Sequence, residues 1–121
     1  MISVLMPVRN AAATLPAALE SLLAQTRPDF EIVALDDAGN DGGRTRDVLR
    51  AAAGRDHRVR PFSLPHHGIA ATLAHGLTLC RGGFVARMDA DDTCRADRLE
   101  KQAAFLEKHP DIGLVGCLAA F

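Results

Sequence analysis

Ile32-Val33-Ala34-Leu35 is an unbroken apolar run that ends abruptly on Asp36-Asp37. A strand without polar alternation is covered on both faces, as interior strands of parallel sheets are. Ile2-Ser3-Val4-Leu5-Met6, closed by Pro7, reads as a second strand of this kind. Residues 58–64, with Val59, Phe62 and Leu64, form a weaker strand. Phe84-Val85-Ala86-Arg87-Met88 is a fourth, and Ile112 opens a fifth. Helical stripes separate them. Leu15, Leu19, Leu22 and Leu23 share one face of a helix of about four turns. Thr14 is its plausible cap, Pro16 lies in its first turn, and it should stop before Pro28. Val48, Leu49, Ala52 and Ala53 mark a second helix stopped by Gly54. Ile69, Leu73, Leu77 and Cys80 mark a third opened by Gly68, and Leu99, Ala103 and Leu106 a fourth stopped by Pro110.

This alternation predicts an α/β fold of three layers, α/β/α, with a mainly parallel sheet and helices on both faces. The 121 residues make one domain or part of one. A hydrophobic share of 48% against 24% charged residues supports a packed core and argues against disorder. With 14 Lys+Arg against 15 Asp+Glu, the surface as a whole has no attraction for nucleic acid or anionic lipid. The longest apolar run, residues 117–121, falls far short of the roughly 20 residues that span a bilayer. Cys80, Cys94 and Cys117 are odd in number and widely spaced, which disfavours a disulfide framework and fits a reducing cytosol.

Open parallel sheets bind ligands at the carboxyl ends of their strands. That rule selects residues 7–10, 36–43 and 89–92. Asp89-Ala90-Asp91-Asp92 follows the fourth strand, and in an extended segment Asp89 and Asp91 face the same side. Paired hard oxygen ligands suit Mg²⁺ or Mn²⁺ shared with substrate phosphates. The competing reading is a solvated acidic loop in which Asp92 or Thr93 caps the next helix. Asp36-Asp37 holds the equivalent place after the second strand, as an acceptor for a ribose hydroxyl or base N–H, or as a turn-forming pair before Gly39. Three carboxylate clusters on one sheet edge repel one another unless a metal or ligand offsets them. His66, His67 and His75 lack the spacing of a transition-metal site and read as structural or surface histidines. Cys80 reads as core, Cys94 as an exposed loop thiol, and Arg95, Arg98 and Lys101 as a solvated helix face.

Met6-Pro7-Val8-Arg9-Asn10 and Leu35-Asp36-Asp37-Ala38-Gly39-Asn40-Asp41-Gly42 resemble the opening motifs of family 2 glycosyltransferases. Gly68-Ile69-Ala70-Ala71, Ala86-Arg87-Met88-Asp89-Ala90-Asp91-Asp92 and Asp97-Arg98-Leu99-Glu100-Lys101-Gln102, through His109-Pro110-Asp111-Ile112, continue the resemblance in order. It implies a Rossmann-like GT-A fold and a nucleotide-sugar donor site. On it, Pro7, Val8, Arg9 and Asn10 line the base pocket, with the Arg9 guanidinium stacking on the base. Asp37, beside Asp36, accepts from the base N3–H, which suits uridine. Gly68 and Ala71 flank the nucleotide, Asp89 and Ala90 face the ribose or the metal's water shell, and Asp91 binds the metal with Asp89. The metal, Mn²⁺ or Mg²⁺, neutralises charge on the departing diphosphate. Transfer inverts the anomeric centre, and the acceptor is a carbohydrate or lipid-linked molecule of the cell envelope.

This sequence departs from the family pattern at Leu73-Ala74, where an arginine near the diphosphate is usual. The general base of the family belongs to the second half of the domain, so residues 1–121 are expected to be the donor-binding half of a truncated GT-A domain. The apolar end at residues 118–121 then predicts a face covered by a second copy. The resemblance implies a cytoplasmic protein, with membrane association left open for a longer form. Two other families share letters with the chain. Asp89-Ala90-Asp91-Asp92-Thr93 fits the Asp-x-Asp-x-Thr of haloacid-dehalogenase-type phosphatases, but that motif follows a first strand. A receiver-type signalling module also has its acidic pair after the first strand, whereas here it follows the second.

Overall fold

The computed structural model describes residues 1–117. The elements run β1 (Ile2–Val8), α1 (Leu15–Leu23), β2 (Phe30–Asp37), α2 (Arg44–Arg55), β3 (Val59–Leu64), α3 (Ile69–Leu79), β4 (Phe84–Arg87) and α4 (Arg98–Lys108). All four strands are parallel, in the order β3-β2-β1-β4. β2 is buried along its whole length and β1 nearly so, as their apolar runs require.

Strand alternation divides the core in two. Val4, Met6, Val8, Ile32 and Ala34 join the larger cluster with Leu15, Leu19 and Leu22 of α1, Leu49 of α2, and Leu99 and Ala103 of α4. Leu5, Val33 and Leu35 turn the other way, against Leu73 and Leu79 of α3. Three helices thus cover one face and a single helix the other, which leaves Val85 of β4 exposed.

Several local expectations are corrected. The α3 stripe is only partly its contact face: Leu73 and Cys80 pack on the small cluster, but Ile69 and Leu77 are exposed, and the buried residues are Thr72 and Gly76. A Cβ at Gly76 would lie 2.4 Å from Leu5 Cδ1 and 2.7 Å from Leu35 Cδ1, so close packing on the sheet, and not the apolar stripe alone, seats this helix. α1 is shorter than four turns. Gln25 closes its end: its amide bonds to Leu22 O and its Nε2 donates to Ser21 O at 3.0 Å, and the same Nε2 reaches across to Arg95 O at 2.7 Å. α2 passes through Gly54 to Arg55, because the Asp56 amide still bonds to Ala52 O. β1 continues through Pro7 to Val8. Its ladder with β4 ends at Leu5–Arg87, so the missing Pro7 N–H costs no bond there. The fifth strand is not formed between Ile112 and Cys117. The Ile112 amide folds back to His109 O, Gly113 and Gly116 weaken any extended run, and the segment lies beside β4 without pairing. The apolar face expected at residues 118–121 lies outside the described residues.

Gly76→Ala is expected to destabilise the protein by about 1–3 kcal/mol through overpacking against Leu5 and Leu35. Gly54→Ala, with open space around its Cβ, should instead be neutral or stabilising by up to about 1 kcal/mol. Urea unfolding of the two variants beside wild type checks the pair.

Candidate functional site

The strand order reverses direction at β1, which lies between β2 and β4, and ligands of open parallel sheets bind at such a switch point. A cleft of about 460 Å³ opens there. From the end of β1 come Pro7, Val8, Arg9 and Asn10, from β2 Asp37, from the loop before α3 Gly68, and from the loop after β4 Asp89, Ala90 and Asp91. Nine of the residues singled out from sequence therefore line one cavity. Asp36 and Ala71 do not.

The β1–α1 loop is clamped to the β2–α2 loop. Asn10, at φ +48°, accepts the Asn40 amide on Oδ1 and donates Nδ2–H to Asn40 Oδ1, both at 2.8 Å. The left-handed conformation is one that asparagine tolerates. Gly39 is required beside it, because a Cβ there would fall 2.1 Å from Asn10 Oδ1. The Ala11 amide adds a bond to Thr45 Oγ1, itself held by Asp41 at the start of α2. Arg9 thus projects from an anchored turn.

Asp37 is buried and fully engaged. Oδ1 accepts the His67 amide at 2.9 Å, and Oδ2 accepts the Gly68 amide at 3.2 Å and His66 Nδ1 at 3.0 Å. Burial pushes its carboxyl up, but the His67 amide, the His66 ring and the Gly68 amide outweigh that and hold it below the usual carboxylate range. Gly68 is the N-cap of α3 and has no side chain to cap it; its φ of +89° with ψ of 165° is glycine's own region. Asp37, from β2, instead accepts the amides of the two residues that lead into α3. Asp36 faces the opposite side of the sheet, with Ile32 and Ala34. Its Oδ1 has no hydrogen-bond partner among the described residues. Burial pushes its carboxyl up, Arg46 offsets part of this, and Asp41 and Asp37 add to it.

Asp89, Asp91 and Asp92 each offer a carboxylate oxygen, and these lie within 4.8 Å of one another on an exposed turn. Asp89 Oδ1 is also 3.3 Å from Arg87 Nη1. Neither Asp92 nor Thr93 caps α4, whose N-cap is Asp97. The loop is instead braced by α1. Cys94 is half-buried rather than exposed: its amide reaches Ser21 Oγ and its Sγ accepts from Gln25 Nε2. The Leu99 amide donates to Gln25 Oε1, and the Thr26 amide to Ala96 O. Cys80 is half-buried against the small cluster, and His75 is exposed. Arg95 and Lys101 pair with Asp97 at the surface, and Arg98 Nη2 donates to Arg87 O.

The cleft also takes in Ala11, Thr14, His66, Ile69 and Thr72. Of these His66 is the consequential one, because its ring bonds to Asp37 although its spacing fits no metal site. Its position two residues before the glycine that opens α3 was the available signal.

The profile of glycosyl transferase family 2 matches residues 3–121. The chain belongs to this family. The putative glycosyltransferase EpsE of Bacillus subtilis (strain 168) is 38% identical over 116 residues, which cover 95% of this chain and 41% of EpsE. Among solved structures, TarS residues 1–349 of S. aureus in complex with UDP-GlcNAc aligns with a TM-score of 0.81 at 26% identity, covering 90% of this chain and 32% of that one. The mannosyltransferase PcManGT of Pyrobaculum calidifontis, in complex with GDP-Man and Mn²⁺, aligns with a TM-score of 0.75 at 25% identity, over 87% and 32% of the two chains. The fold is therefore GT-A, and the chain spans about two-fifths of the length of EpsE. Neither a phosphatase nor a receiver module is favoured.

Asp36→Asn is expected to melt higher than wild type at pH 7.5, because it removes a buried charge that lacks a partner. An acid whose folded pKa is raised costs stability above that pKa. Wild type regains the loss as the pH falls toward the unfolded value near 4, so the two melting curves should converge there. Thermal melts between pH 4 and 7.5 test this. Nucleotide affinity should not change, since Asp36 lies off the cleft.

Proposed function

We propose that this chain binds the donor for a glycosyltransferase that moves a sugar from a nucleoside diphosphate onto a carbohydrate or lipid-linked acceptor with inversion. The observation that carries the reading is the convergence of Asp37 and the Asp89–Ala90–Asp91 turn on one cleft of nucleotide size at the sheet's switch point. Residues 1–121 then form the donor half of a longer GT-A domain, and no carboxylate of this chain is assigned as general base. A cytoplasmic setting is supported by the free cysteines at 80, 94 and 117.

In this reading Arg9 stacks its guanidinium on the base, and Asp37 accepts the base N–H. A uracil ring, with one imide N–H, suits an acceptor-only group, and UDP-GlcNAc in TarS makes a UDP-sugar the favoured donor. The clustered oxygens of Asp89, Asp91 and Asp92 fit a hard cation such as Mn²⁺ or Mg²⁺, as does the Mn²⁺ of PcManGT. When bound, that ion supplies positive charge for the departing diphosphate. The chain's own residues bind and orient: Asp89 and Asp91 fix the diphosphate end, Asp37 and Arg9 the base.

Calorimetric titration of UDP, GDP and dTDP in Mn²⁺ tests the reading. UDP should bind best, and Asp91→Ala or EDTA should weaken it by at least about tenfold, or roughly 1.4 kcal/mol. Preference for GDP would overturn the uridine assignment. Undiminished binding in EDTA and in the variant would overturn the metal role.

A further inference from the structure

The strongest feature left over is the contact between His66 and Asp37. We propose that His66 is a positioning residue whose ring occupies the base-facing side of Asp37 and must be displaced by an incoming nucleobase, so that donor affinity falls when this histidine is protonated. The inference rests on the reading of the cleft as a nucleoside-diphosphate site.

Three donors hold the Asp37 carboxylate, and two of them, the His67 and Gly68 amides, are backbone groups fixed by the turn into α3. The third is the His66 ring, a half-exposed side chain that lines the cleft together with Asp37. It is the only one of the three that can swing away without unwinding the helix start. Two acceptors do not sit 3.0 Å apart, so Nδ1 carries a hydrogen and donates it to Oδ2. While the ring is neutral this is an ordinary hydrogen bond, open to exchange for a base N–H. Once the ring is protonated the bond becomes charge-assisted and roughly twice as strong. The incoming base must then break an ion pair to reach the same carboxylate.

Asp37 itself stays ionised over the range in which imidazoles change charge, because its donors hold it below the usual carboxylate values. The other charged groups around the ring do not substitute for it. His67 Nδ1 is 3.4 Å from Asp37 Oδ1 but is bonded to Pro65 O, which keeps that ring on its own loop. Arg9 at the end of β1, and Asp89 and Asp91 after β4, are exposed across the cleft. The first turn of α3 carries no acidic residue, and α1 contributes only Thr14.

UDP binding in Mn²⁺ is measured by calorimetry from pH 7.5 to 5.5 on wild type, His66→Gln, His66→Ala and His67→Gln, each checked for folding by its melting curve. The nucleotide's terminal phosphate also titrates near pH 6 and moves every curve alike. The quantity read is therefore the ratio of the wild-type Kd to that of each variant. That ratio should rise roughly two- to tenfold between pH 7.5 and 5.5 against both His66 variants, as expected for a bond that doubles in strength. Against His67→Gln it should stay level. A purely structural role for His66 would shift affinity by the same factor at every pH, and a level ratio against both His66 variants overturns the proposal while leaving the nucleotide site standing. Failure of wild type to bind any nucleoside diphosphate at pH 7.5 overturns the cleft reading and this inference with it.

Discussion

The parallel pairing of β1 with β2, covered on both faces, is the constraint from which the rest follows. Seven residues of each strand are in register, and nearly every side chain they carry is buried. Such strands exclude polar groups from their middles and push them to the two ends, where the backbone leaves the sheet. At the amino end Ser3 and Glu31 are buried, but Glu31 is met by Ser3 Oγ, Arg60 and the Arg81 amide. Burial raises its carboxyl, and these donors more than offset that. Gly82 lets this return loop run against β1, where a Cβ would meet Met1 O at 2.6 Å. At the carboxyl end the donors are arranged differently, and the cleft is the result.

Asp37 shows how stability and recognition use one group. It holds the turn into α3 from a neighbouring strand, so its charge is stabilised by two backbone amides of that turn. A carboxylate held in this way is both ionised and fixed in direction before any ligand arrives, which is the property a base-reading acceptor needs. The cost of burying it has been met by folding, not by binding.

The layer architecture was legible in the sequence because apolar runs in β1 and β2 and leucine spacing in α1 each admit one period. The cleft was legible because chemistry at strand ends follows from the topology once the strands are placed. What was not legible depended on contacts distant in sequence. The α3 face was misread because Gly76 packs by having no side chain, a signal that hydrophobic periodicity does not register. Asp36 and Asp37 looked equivalent as a pair, yet alternation sends them to opposite faces, one into the cleft and one behind it. His66 was invisible as a site residue because its partner lies 29 positions earlier.

That separation of Asp36 from Asp37 also changes the electrostatics expected of the sheet edge. Three acidic clusters on one rim would repel one another and call for a cation wherever they met. In the folded chain Asp36 is behind the sheet toward Arg46, and Asp37 is satisfied by two amides and a ring nitrogen. Asp41 is tied to Thr45 at the start of α2, which lowers its carboxyl through that hydroxyl bond. Among the described residues only Asp89, Asp91 and Asp92 remain close together and exposed, with Arg87 as a 3.3 Å neighbour to one of them. Three carboxylates against one guanidinium leave about two negative charges on that turn when all are ionised. A divalent ion would match that surplus, and Gln25, Ser21 and Thr26 brace the segment that follows the turn, at Arg95, Cys94 and Ala96. The unbalanced negative charge is therefore concentrated on one turn of the cleft, away from Asp37.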